Sequence, residues 1–286
     1  LVPSQPIFRF APSPNGLLHL GHAYSVLFMQ YWARKMQAKM LLRIEDIDTQ
    51  RCRPEFAQAA IEDLEWLGLA FDGPAFYQSR HFPDYGAAAD ALRSQGLLYP
   101  CFCSRKDIKG ASTGAVDPDG APIYPGTCRD LSADQRKRRL AAGEPVQWRL
   151  DMAKAVAVAG PIEIMETMPT PDQRVEMRNA EPERWGDVVL VRKDTPTSYH
   201  LSVVVDDARQ GITHVIRGMD LYKSTDIHVL LQFLLGLPSP FYCHHKLVRD
   251  ESAEKLSKSA GARSLKAMRL TGITPDDIRQ RLDLIK

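Results

Sequence analysis

A chain of 286 residues with 44% hydrophobic and 25% charged residues has the balance of a globular protein, which excludes fibrous and disordered classes and allows one principal core with a smaller unit. A net charge of +2 is too weak to hold a polyanion as a whole-protein field, so any nucleic-acid partner must meet a local patch. The longest apolar run, IHVLLQFLLGL at 227–237, is too short to cross a bilayer and reads as a buried helix, and the opening LVPSQP lacks the basic and apolar regions of a secretory signal.

In chain order, IFRF predicts a short buried strand, broken by Pro12, Pro14 and Gly16 and leading into a helical pattern, HLGHAYSVLFMQYWARKM. MLLRIEDID follows as a strand ending in carboxylates. Pro54 then opens a helix, PEFAQAAIEDLEWLG, closed by Gly68. Such alternation predicts a parallel α/β sheet. From 99 to 185 the character changes to cysteines, the turn-rich DPDGAPIYPGT and a basic helix around DQRKRRLAAGE, which predicts an inserted domain between core halves at 1–98 and 186–286. After it, GDVVLVRK and THVIRG read as strands, and YHLSVVVDDARQG and DLYKSTDIHVLLQFLLG as helices.

No Walker or dinucleotide glycine pattern is present. Instead His19-Leu20-Gly21-His22 opens a helix after a strand, where free N–H groups and the positive dipole end favour phosphate, and Gly21 is expected to let a nucleotide approach the backbone. Taken alone the motif also fits one capping and one surface histidine. EKLSKS at 254–259 reads as a hydrophilic loop whose ammonium groups suit charge developing on a transferring phosphate, or else as a solvated loop.

The five cysteines argue against a disulfide framework and for a reducing, cytoplasmic setting with a metal site. Three of them, Cys101, Cys103 and Cys128, offer soft thiolates that favour zinc, with three reduced thiols and no metal as the alternative. Cys52 and Cys243 read as spare. The run Arg136, Lys137, Arg138, Arg139 is either an RNA contact or a solvated helix face.

APSPNG, HLGH and KLSKS in this order resemble the signature motifs of class I aminoacyl-tRNA synthetases. RFAPSPNGLLHLGHA, LLRIEDID and YHLSVVVDDARQGITHVIRGMDL are similar to the glutamyl branch, over most of the chain outside the cysteine segment. The resemblance implies a Rossmann-type doubly wound sheet with an inserted smaller zinc-containing domain. It also implies ATP as substrate with Mg²⁺, and His19, His22, Lys255 and Lys258 at the nucleotide, of which His19, His22 and Lys258 stabilise the transition state.

For L-glutamate the resemblance implies Arg9 and Arg217 on carboxylates, Glu45 on the ammonium, Tyr199 as a hydroxyl donor, and Ser13 with the Ala11 backbone completing the contacts. Arg9, Glu45 and Arg217 fall at expected strand ends. Tyr124 is implied as the fourth ligand of a structural Zn²⁺ beside the three cysteines. Only 27 residues follow the lysine segment, with room for the one helix of TPDDIRQRLDLI and not for an anticodon-binding region. That layout resembles the glutamyl-queuosine tRNA(Asp) synthetases, which implies a cytoplasmic monomer that activates glutamate without tRNA and passes it to queuosine in the anticodon loop of tRNA(Asp). The alternatives are the catalytic domain of a conventional glutamyl-tRNA synthetase and a non-enzymatic RNA-binding paralogue.

Overall fold

The computed structural model describes residues 5–111, 114–168, 174–248 and 263–283. Its elements run β1 (Ile7–Phe10), α1 (Leu20–Met36), β2 (Lys39–Ile44), α2 (Pro54–Trp66), β3 (Phe76–Tyr77), α3 (Phe82–Ser94), β4 (Leu98–Cys101), α4 (Arg105–Gly110), α5 (Ala133–Ala141), β5 (Gln147–Leu150), α6 (Met152–Ala159), β6 (Glu163–Thr167), β7 (Val175–Asn179), β8 (Val189–Val191), α7 (Tyr199–Arg209), β9 (His214–Gly218), α8 (Thr225–Leu235), β10 (Phe241–His245), α9 (Leu265–Leu270) and α10 (Pro275–Arg281).

Seven strands form one sheet in the order β3-β2-β1-β9-β10-β6-β7, parallel except for the antiparallel edge pair β6 and β7. The chain passes from β1 to β2 on one side and later places β9 on the other side of β1. A reversal of this kind leaves a crevice beyond the carboxyl ends of the two central strands. The ends of β1, β2, β9 and β10 all face that crevice with polar side chains.

Local chemistry explains the elements that set it up. Phe8 and Phe10 are buried on β1. The α1 helix starts at a histidine cap and closes on Gln37 in the left-handed region, φ 52°. Pro54 takes the first turn of α2, where its missing N–H costs nothing. One core packs Phe8, Leu18, Met29, Ile44 and Leu64 together with Leu265, Met268 and Ile278, so α9 and α10 close over the first half of the sheet. A second core joins α3, α6, α7 and α8 around Leu150, Trp185, Leu201 and Leu230.

Three departures from the sequence reading have simple causes. The helix expected from Asp220 starts at Thr225, because Met219–Leu221 is a short 3₁₀ turn. FYCHH forms β10, a strand the sequence reading did not assign, because it is short, follows the proline-rich GLPSP and lacks period-two alternation. The 99–185 segment is shared between two sheets: β4 and β5 pair with β8 in a small antiparallel sheet, whereas β6 pairs with β10 and carries β7 to the edge of the main sheet.

A buried charge cluster ties β1 and β2 to α7. The fully buried Arg43 donates from Nη2 to Asp207 Oδ1 at 2.6 Å and from Nη1 to Gln210 Oε1 at 2.9 Å. Arg9 Nε reaches the same Asp207 oxygen at 3.0 Å. Burial opposes the charge on Asp207, but the two guanidiniums outweigh it and hold the carboxyl below its ordinary range. Removing one member of such a set leaves a charge stranded in low dielectric. Arg43→Met is therefore expected to lower the unfolding free energy in urea by roughly 3–5 kcal/mol. Arg53→Ala, which breaks the exposed 3.8 Å pair with Glu55, should cost less than about 1 kcal/mol; equal losses would show that the buried cluster has no special weight.

Candidate active site

A cavity of about 510 Å³ opens at the crevice, and its walls include Arg9, Ala11, Ser13, His19, His22, Glu45, Tyr199 and Arg217. These are all the described residues that the sequence reading assigned to nucleotide and amino acid. Lys255 and Lys258 lie outside the described residues. On either side of that segment, Val248 lines the cavity and Ser264 forms a backbone bridge to His19.

His19 caps α1. Its Nδ1 accepts the Gly21 N–H at 3.1 Å, and the His19 N–H donates to His22 Nδ1 at 3.2 Å, so each imidazole caps the helix start. With Nδ1 accepting in both rings, the proton of a neutral imidazole sits on Nε2. The rings lie 4.0 Å apart, centroid to centroid. A Cβ at Gly21 would stand 3.0 Å from His19 Cε1, so the glycine lets the His19 ring fold back as well as lining the cavity. No acidic residue occupies the first turn of α1. The positive helix end therefore keeps its attraction for an anion.

The opposite wall holds charges of both signs, in unequal states of compensation. Arg9 is paired with Asp207. Glu45 lies 3.5 Å from Arg43 Nε, an ionic contact longer than a good hydrogen bond. Burial pushes the Glu45 carboxyl up to about 7, against the pull of Arg43 and Arg9. Burial also raises the Tyr199 hydroxyl, which keeps it a donor at neutral pH.

Arg217 is held differently: Nη2 donates to Thr225 Oγ1 at 2.7 Å, Nη1 meets His228 Nδ1 at 3.1 Å and Nε donates to His244 Nε2 at 3.2 Å. All three acceptors are neutral groups when the histidines are uncharged. Burial, reinforced by Arg217, depresses His228 well below the ordinary imidazole value, and burial lowers His244 despite its contact with Glu166.

Ser13 Oγ lies 3.8 Å from Cys52 Sγ, which also faces the Glu45 carbonyl, so this thiol packs behind the first turn. Ser25 and His245 line the cavity without having been anticipated. His245 Nδ1 meets the Lys246 carbonyl at 3.0 Å, so Nε2 accepts the Ser25 hydroxyl at 3.0 Å. Arg43, Asp207, Thr225, His228 and His244 also escaped the sequence reading. Arginine inside the apolar MLLRI and paired aspartates after VVV were the available signals for the first two.

Away from the cavity, Cys101, Cys103 and Cys128 bring their Sγ atoms within 4.8 Å of one another. The Tyr124 hydroxyl lies 3.5 Å from Cys103 Sγ and accepts the Cys128 N–H at 2.8 Å. Sulfurs about 2.3 Å from a tetrahedral ion would be roughly 3.8 Å apart, and the Cys103–Cys128 separation is 3.5 Å. The donor set thus fits a four-coordinate metal. Arg149 Nε contacts Cys101 Sγ at 3.3 Å, and its guanidinium carbon stands 3.9 Å from the Tyr124 ring centroid. Of the basic run on α5, Arg139 pairs with Glu144 and stacks on Phe102, Arg136 donates to the Arg129 carbonyl, and Lys137 and Arg138 are exposed.

Comparison with known proteins shows the family. The family described as tRNA synthetases class I (E and Q), catalytic domain, matches residues 7–283. The chain is 45% identical over 284 residues to a glutamyl-Q tRNA(Asp) synthetase of Rhodobacter capsulatus, covering 97% of this chain and 100% of that one. It is 41% identical to another of Nocardia farcinica, covering 94% and 81%. Among solved structures, a glutamate tRNA ligase from Elizabethkingia meningosepticum in complex with its amino acid superposes with a TM-score of 0.79 at 26% identity, over 99% of this chain and 61% of that chain. With family, relatives and fold in agreement, the chain belongs to the class I tRNA synthetases (E and Q), grouping with the glutamyl-Q tRNA(Asp) synthetases, and is a ligase of the aminoacyl-tRNA synthetase type.

Proposed function

We propose that the protein activates L-glutamate with ATP, without requiring tRNA, and transfers the glutamyl group to queuosine in the anticodon loop of tRNA(Asp). The observation that carries this reading is one cavity that joins a helix start with no acidic residue in its first turn, two imidazoles and a set of charges complementary to an acidic amino acid. The names of the relatives supply the queuosine acceptor, and a cytoplasmic location goes with a tRNA substrate.

Arg217 and Arg9 bind the carboxylates, Glu45 takes the ammonium, Tyr199 donates its hydroxyl, and Ser13 with the Ala11 backbone orients the ligand. An oxygen of the α-carboxylate attacks the α-phosphorus in line while the bond to pyrophosphate breaks. His19 and His22 donate from Nε2 to the phosphates, and Lys255 and Lys258 add ammonium charge from the segment whose flanks, Val248 and Ser264, meet the cavity and His19. Mg²⁺ arriving on the nucleotide neutralises phosphate charge and needs few protein ligands. In the second step a cyclopentenediol oxygen attacks the glutamyl carbonyl and AMP leaves, its phosphate accepting the proton.

Cys101, Cys103, Tyr124 and Cys128 would hold a structural Zn²⁺, with no part in the chemistry. Buried Arg149, against both a sulfur and the phenol ring, suits such an anion-rich set.

Glutamate-dependent exchange of pyrophosphate into ATP is expected with no tRNA added, and labelled glutamate should be retained on queuosine-containing tRNA(Asp) and not on tRNA(Glu). The reverse charging pattern would identify a conventional glutamyl enzyme. The ammonium of the ligand stabilises ionised Glu45, so binding below about pH 7 must release a proton, and affinity must rise with pH. Calorimetry should give a Kd about tenfold tighter at pH 8 than at pH 6, a dependence that Glu45→Gln abolishes; a flat profile in the parent protein would remove Glu45 from the ammonium site. Elemental analysis should find one zinc per chain, and Cys128→Ser should lose it and lower Tm by about 5 °C or more; a metal-free parent with the same Tm would exclude the zinc site.

A further inference from the structure

Arg217 is the described guanidinium of the cavity that faces no carboxylate within ion-pair distance among the described residues. Arg9, by contrast, shares Asp207 with Arg43. Three of the five guanidinium N–H bonds of Arg217 go to Thr225, His228 and His244, and all three acceptors are buried. Proton positions follow from the geometry. His228 Nδ1 accepts from Arg217, so His228 carries its proton on Nε2 and donates it to His200 Nδ1 at 3.3 Å. His244 Nε2 accepts from Arg217, and its Nδ1 donates to Glu166 Oε2 at 3.1 Å. Glu166 therefore reaches Arg217 only through the His244 imidazole, and it is itself paired with Arg178.

A buried carboxylate in place of either ring would hold Arg217 equally firmly. It would also neutralise it. Neutral acceptors fix the guanidinium while leaving its charge for a ligand, and the difference is large in a desolvated site.

We propose that His228 is a positioning and specificity-determining residue, which holds Arg217 through a neutral acceptor so that its whole charge is reserved for a substrate carboxylate. The inference rests on the reading of the cavity as a glutamate site. It adds a residue that stands behind Arg217 rather than lining the cavity and appears in none of the family motifs in the sequence.

The test contrasts two side chains of the same shape. His228→Gln offers a neutral acceptor and His228→Glu an anionic one. In tRNA-free ATP–pyrophosphate exchange, H228Q should keep KM for glutamate within about threefold of the parent, and H228E should raise it about tenfold or more. KM for ATP should move less than about threefold in both, and the preference for glutamate over glutamine should fall in H228E alone. A merely structural role would affect both variants alike, so equal glutamate KM values in the two folded variants, checked by circular dichroism melting, would overturn the proposal. If H228E does not fold, H228N against H228D carries the same contrast. Parent protein that shows no exchange with glutamate would overturn the glutamate reading and this inference with it, whereas parent exchange with no difference between the variants would overturn this inference alone.

Discussion

Arg43 is the group on which the rest of the site depends. Its side chain is wholly buried, and it joins β2 to α7 through Asp207 and Gln210, while Asp207 in turn holds Arg9 of β1. A charge taken out of water is tolerated only when geometry and partners compensate it. That requirement fixes three elements relative to one another. It also places Arg9 and Glu45 at the rim of the crevice with little freedom to move, the preorganisation that a site acting by position and electrostatics needs.

The charges around the cavity are graded. Asp207 is ionised and doubly paired, Glu45 is pushed towards neutrality by burial, and Arg217 is surrounded by neutral acceptors. Without ligand, the wall carries Arg9, which shares one carboxylate with Arg43, an incompletely ionised carboxyl, and Arg217, which has no carboxylate within ion-pair distance among the described residues. On the proposed reading, an amino acid with an acidic side chain brings carboxylates to the two arginines and an ammonium to Glu45. The imidazoles at the start of α1 form the other wall, where each ring caps the helix end through Nδ1.

The cysteine cluster stands on different physics. Cys101, Tyr124 and Cys128 pack with Tyr99 and Phe102 in a small core of their own. Arg149 and Asp187 link it to the three-stranded sheet, through the Arg149 contact with the Asp187 carbonyl and the Tyr99 contact with the Asp187 carboxylate. So small an apolar group is weakly held by burial alone, which is where a crosslinking ion contributes most. The sheet itself is not confined to the cysteine segment, since β4 and β5 complete it with β8.

The sequence by itself determined the alternation of strands and helices, the cysteine spacing and the residues at strand ends, because each follows from local periodicity, turn chemistry or a recurring motif, whereas it offered one capping histidine where the structure has two. It also marked Arg9, Glu45 and Arg217 as candidates, though not their unequal compensation. Only the tertiary structure decided that Asp207, 164 residues from Arg43, pairs with both Arg43 and Arg9 while His228 and His244 hold Arg217 through neutral acceptors. It alone showed that FYCHH completes the sheet and that β6 and β7 extend its edge. The reason is that compensation of a buried charge depends on which distant groups share its low-dielectric surroundings, and neighbours in space leave no periodic trace along the chain.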